Sequence, residues 1–166
     1  ERFQTQEWAR ETSRAAELRA YMAEEAWWLD DYALFRVLHD HHEARAWWEW
    51  PADLAAREPD AMAAARAAHA AAVLETCWLQ WIAQRQWEDA RRALDGIALV
   101  GDLPFMVSAD SADVWAHQHL FSREASVGTP PDAFSETGQD WGLPVYRWDA
   151  MRADDFGWLK ARARRM

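Results

Sequence analysis

The sequence predicts an α/β chain, helix-rich in residues 14–95, with a strand and long loops in residues 97–150. Three observations carry this expectation. Apolar side chains recur at helical spacing through residues 14–40. An alanine-rich stretch runs from Pro59 to Gly96 without an internal breaker. A short apolar run, GIALVGDLPFMVS, then closes on Gly101, Asp102 and Pro104.

Leu18, Tyr21, Met22, Trp28, Leu29, Tyr32, Phe35 and Leu38 form an apolar stripe that fits one amphipathic helix or a helix pair. WWEWP at 47–51 interrupts it, and Pro51 and Pro59 punctuate the connection. Pro59 suits a first helical turn, where its missing N–H costs nothing. The helix it opens carries Val73, Leu74, Cys77, Trp78, Trp81 and Ile82 along one face, and Gly96 marks its end. The apolar run at 97–107 is expected to be a buried strand of a parallel sheet, with Asp102 at its C-terminal end. That is the end at which βα architectures handle ligands. Residues 108–149 are expected to be loop-rich, with a second short strand near PVYRW, and 152–166 to begin another helix. The chain thus divides into a mainly helical part, 1–95, and a strand-and-loop part, 96–166, of one incomplete domain.

The formal net charge of −10 argues against nucleic acid, which calls for a basic face. The basic C-terminal KARARRM suits a solvated helix end. A single cysteine, Cys77, rules out an intramolecular disulfide and fits a reducing cytoplasm; its place on the apolar stripe predicts an inert core thiol. No apolar run approaches the ~20 residues of a membrane span. Thirteen tryptophans stand out. Indole fills cores, and its flat face also accepts the apolar face of a sugar ring.

The runs VGDLPFMVSADSADVWA and TPPDAFSETGQDWGLPVYRWD resemble the 4-α-glucanotransferases (amylomaltases or disproportionating enzymes) of glycoside hydrolase family seventy-seven. WWLDDYALFRVL and QWIAQRQWEDARRAL resemble the same family in the same order, so the resemblance covers nearly all of residues 20–160. It implies a (β/α)8 barrel, here partial, that transfers α-1,4-glucan segments to the 4-hydroxyl of an acceptor sugar through a covalent intermediate. Retention needs two carboxyl groups ~5 Å apart. In the family the nucleophile lies in a motif like R-x-D-H-F, and the acid/base and a third carboxylate follow it. None of these motifs occurs in this sequence, which begins at Glu1 and stops at Met166. An internal fragment, inactive by itself, is expected, with no catalytic residue of its own. The alternative is a non-catalytic α-glucan-binding or interaction protein derived from the same fold.

The resemblance puts Asp102 near the sugar at the cleavage point; a turn-capping aspartate is the other reading. It also puts Asp132, Ser135 and Trp141, within GTPPDAFSETGQDWG, in a substrate loop where a sugar ring stacks on the tryptophan. Alternatively Trp141 packs beneath that loop. LFSREASVGTPP is shorter than the usual family loop, and Leu143 stands where asparagine is common. In DSADVW, Ser111 or Asp110 suits an N-cap and Asp113 a first helical turn. The cluster His39, Asp40, His41, His42 is read as a helix end and not as a metal site. Asp30 and Asp31 are adjacent on a helix and point about 100° apart, so they do not converge on one bond. No cofactor and no metal are expected. Expected partners are α-1,4-glucans and maltooligosaccharides; unpaired strand edges add self-association.

Overall fold

The computed structural model describes residues 3–165. The chain divides into two compact units, the first reaching to Leu99 and the second beginning at Val100.

The first unit is helical. A π-helical turn, Gln4–Trp8, precedes α1 (Ser13–Glu24) and α2 (Ala26–His41). The apolar stripe of residues 14–40 is therefore a helix pair. Thr12 caps α1, its hydroxyl accepting the Ala15 N–H, and the chain breaks at Glu25. A 3-10 turn, Trp47–Glu49, and the short α3 (Ala52–Ala55) occupy the WWEWP region. Two helices follow, α4 (Pro59–Ala68) and α5 (Ala70–Ala93). Pro59 opens α4 as expected. The single long helix is instead broken at His69, whose ring meets that of His41 at 4.9 Å. Gly96 lies beyond the end of α5 at φ +83°.

Leu18, Tyr21, Leu29, Ala33, Cys77 and Trp81 form the core where α1, α2 and α5 meet. Full burial of Leu18 and Leu29 stabilises this core by about 2 kcal/mol each. Burial pushes the Cys77 thiol up to about 11, as suits an inert core cysteine.

The second unit corrects the sequence expectation most. Residues 97–107 form no strand: the segment is irregular, and Ile97 and Val100 are 66% and 95% exposed. A buried strand needs a neighbour to complete its ladder. The two strands among the described residues pair only with each other. They lie within the stretch expected to be loops: β1 (Phe121–Thr129) and β2 (Gln139–Tyr146) form an antiparallel hairpin, not a parallel sheet. The strand expected near PVYRW is the end of β2.

Helix α6 (Ala112–Ala116) and a 3-10 turn, Gln118–Leu120, lead into the hairpin; α7 (Trp148–Ala153) and α8 (Gly157–Arg165) follow it. The helix expected from 152 onward is thus the end of α7 and then α8. Between them Asp155 and Phe156 take φ of 49° and 55°. Val114, Trp115, Leu120, Phe121, Met151 and Trp158 are buried beneath the hairpin base. An isolated two-stranded hairpin is marginal in water, so this packing is what holds it. Arg147 closes the base: its Nε donates to the Phe121 carbonyl at 2.8 Å, and its backbone N–H donates to the Leu120 carbonyl at 2.9 Å.

Candidate functional site

The hairpin carries three of the four predicted contact residues. Its loop, 130–138, is built around Asp132. One carboxylate oxygen, Oδ1, accepts the backbone N–H groups of Phe134 and Ser135, each at 2.8 Å. The Asp132 N–H donates to the Ser135 carbonyl at 2.9 Å, and the Ser135 hydroxyl donates to the Gly138 carbonyl at 2.8 Å. An aspartate that satisfies backbone donors two and three residues on is a turn builder, and its neighbours explain why it is there. Asp132 and Ser135 therefore shape the loop tip, where Phe134 is 98% exposed.

Trp141 is displayed differently. Val127 faces Leu143 and Gly128 faces Asp140, so Trp141 and Gly142 have no partners on β1. This two-residue bulge turns the indole out of the ladder and leaves it 44% exposed. Trp141 does not pack beneath the loop. Gly142 takes φ +66°, a conformation that favours glycine. The indole Nε1 donates to Gln139 Oε1 at 3.0 Å, and Asp140 Oδ1 accepts the Gly142 N–H at 2.9 Å. The Ser126 hydroxyl, and after it this Gly142 N–H, hold the Asp140 carboxyl below the ordinary aspartate range. Gly128, on the facing strand, is as constrained. A Cβ on Gly128 would lie 1.9 Å from the Gln139 carbonyl oxygen.

Asp102 lies apart from these residues in sequence, exposed on the irregular segment before α6 and not at the end of a strand. In DSADVW, Ser111 is the N-cap of α6: its hydroxyl accepts the Val114 N–H at 3.3 Å and donates to the Ser108 carbonyl at 2.7 Å. Asp113 Oδ1 accepts the Trp158 indole N–H at 3.0 Å. The capping reading of this motif accounts for its serine.

In the helical unit, Asp31 bridges Arg57 and Arg66, at 2.7 and 3.4 Å. It is a structural ion pair, as its divergence from Asp30 suggests. His42 ends α2 stacked on Trp50, at a centroid distance of 5.4 Å. Desolvation, then the neighbouring His41, Arg45 and His69, pull its pKa down. Among the described residues, no group of three or more His, Cys, Asp or Glu side chains is arranged to hold a metal ion. Nor is any helix among them long and apolar enough to cross a membrane.

Sequence reading missed Phe134, Gln139, Ser126 and Asp140 as parts of this site. The signal for Gln139 and Asp140 lay in QDWG: a glycine directly after an aromatic in a strand pattern marks a bulge.

The 4-alpha-glucanotransferase model of glycoside hydrolase family 77 matches residues 1–166. The chain belongs to the 4-alpha-glucanotransferase family. It is 41% identical over 150 residues to the 4-alpha-glucanotransferase of Thermus thermophilus, covering 85% of this chain and 30% of that one. With the chloroplastic/amyloplastic 4-alpha-glucanotransferase of Solanum tuberosum it shares 38% identity over 146 residues, 83% of this chain and 25% of the other. Among solved structures, an amylomaltase from Streptococcus agalactiae in complex with acarbose is similar at a TM-score of 0.83 and 34% identity. That match covers 92% of this chain and 32% of the amylomaltase. The chain thus spans about a third of the length of these glucanotransferases, or somewhat less.

Proposed function

We propose that this chain is the glucan-holding part of a 4-alpha-glucanotransferase, within a partial (β/α)8 barrel. The whole enzyme would move α-1,4-glucan segments onto the 4-hydroxyl of an acceptor sugar by a retaining, covalent mechanism. Such a mechanism needs a nucleophilic carboxylate and an acid/base carboxyl ~5 Å apart. Residues 1–166 contain no match to the R-x-D-H-F motif in which the family's nucleophile lies. On this reading their contribution is to bind the α-glucan and exclude water, in the cytoplasm, with both units parts of one catalytic domain.

The observation that carries the reading is Trp141, turned out of its strand on a two-residue bulge and 44% exposed on a hairpin whose loop is internally bonded. An exposed indole held at its N–H offers its face to the C–H groups of a pyranose. Asp102 is a further glucan contact on this reading, while Asp132 and Ser135 act on the glucan through the shape of the loop.

Titration with maltoheptaose, followed by tryptophan fluorescence, tests the reading. The chain's emission should change saturably, and Trp141→Ala should abolish most of that change; an undiminished response in the variant would refute the role of Trp141. Incubation of the chain with maltotriose separates holding from cutting. No glucose and no longer oligomers are expected, and turnover above a mock preparation would overturn the division of labour.

A further inference from the structure

Asp102 sits on an irregular segment with no strand ladder to fix it, yet a glucan contact must be held in place to be useful. The segment does have one anchor. Arg162, on α8, donates from Nη2 to the carbonyl oxygen of Pro104 at 2.7 Å, two residues beyond Asp102. Its guanidinium lies over the Trp158 ring at 4.7 Å from the centroid. Trp158 is buried, and its own N–H is held by Asp113 of α6. The ring also meets Phe121 edge-on at 5.2 Å, at the base of the hairpin. A chain of contacts thus runs from the buried centre of this unit, through Trp158 and Arg162, to Pro104. The other terminal guanidinium nitrogen, Nη1, is buried and has no protein partner among the described residues. The hold on the segment therefore rests on Nη2 and on the stacking beneath it.

We propose that Arg162 is a positioning residue for glucan binding: it latches the Asp102–Pro104 segment onto Trp158 and so fixes where the Asp102 carboxylate stands. The inference rests on the reading of Asp102 as a glucan contact. A lysine is a poor substitute at this site. It keeps the charge but lacks the planar fork that can stack on indole while donating sideways.

The test compares Arg162→Ala, Arg162→Lys and Asp102→Asn with the unmodified chain in two measurements. One is the backbone order of residues 101–106, read from amide nitrogen relaxation; the other is affinity for maltoheptaose by calorimetry. Loss of the hydrogen bond to Pro104 should lower the order parameters of this segment in Arg162→Ala. Affinity should fall with it, while Val127 and Leu143 keep their order. Arg162→Lys should recover part of both effects. Asp102→Asn should weaken binding and leave the order of the segment alone. Unchanged order in Arg162→Ala would overturn the latch, and so would a loss of order spread equally over the hairpin. Lower order with unaltered affinity, alongside weakened Asp102→Asn, would overturn the positioning role and leave the reading of Asp102 intact. Normal binding by Asp102→Asn, or no binding by the unmodified chain, would remove that reading and this inference together.

Discussion

The indole N–H of Trp158 donates to Asp113 Oδ1 at 3.0 Å, joining two helices through residues 45 apart in the chain. The bond gives a buried indole the partner it needs and fixes α8 against α6. Asp113→Ala leaves that donor unsatisfied, and a loss of about 1–3 kcal/mol is expected. Urea denaturation followed by near-ultraviolet circular dichroism measures it. A midpoint equal to that of the unmodified chain would show that the bond contributes nothing to stability.

Gly128 sits where the backbones of the two strands approach closely. A methyl group there would lie 1.9 Å from the Gln139 carbonyl oxygen, which belongs to backbone and does not swing aside. Gly128→Ala should therefore separate the strands next to the bulge and cost about 1–3 kcal/mol. Amide exchange should accelerate around Asp140, and the fluorescence response to maltoheptaose should weaken even though Trp141 is present. Retained protection on both strands would refute the close-approach argument.

The pH dependence of the bulge follows from Asp140. Ser126, and after it the Gly142 N–H, hold its folded pKa below the unfolded value. Its contribution is present above the unfolded aspartate pKa and is lost as pH falls through the depressed folded value. Carboxyl-carbon NMR should show Asp140 titrating below the range of free aspartate, with Ser126→Ala moving it upward. An unmoved titration in that variant would remove Ser126 as the main cause.

Cys77 should behave as a reporter of the helical core. Its thiol is buried and its pKa is raised to about 11, so almost no thiolate exists at pH 8. A disulfide reagent should label it only as the protein opens, at a rate that rises with urea. Immediate labelling of the folded chain would contradict the packing of α1, α2 and α5.

The helices were legible because their signals are local. The stripe from Leu18 to Leu38 marks helix, whether one or a pair, and the proline at 59 marks the start of another, without knowledge of what covers them. Thr12, which caps the first helix, was not read from the sequence, although its signal is equally local. The segment at 97–107 was misread because an apolar run states only that something should cover it, not that a strand partner lies within reach. β1 was missed for the opposite reason. FSREASVGT is exposed along most of its length and carries no apolar alternation to read. Asp132 and Ser135 were found through the family resemblance, and only the backbone bonds of the loop showed that they act on its shape. The exposure of Trp141 was legible only in part: the resemblance put a sugar on its ring and the glycine after it signals a bulge, but which residues the bulge leaves out follows from how the two strands pair.

That pairing works like a vernier. β1 has nine residues and β2 has eight, yet the ladder omits residues 123–125 on one side and 141–142 on the other. The two interruptions nearly offset each other, so the strand ends still meet at Phe121–Tyr146 and Thr129–Gln139. Removing one residue from 123–125 would make the two interruptions equal and leave the Val127–Leu143 and Gly128–Asp140 pairs, which bracket Trp141, in place. The place of the aromatic is thus written in two pairs of backbone partners on either side of it, and not in the ring itself.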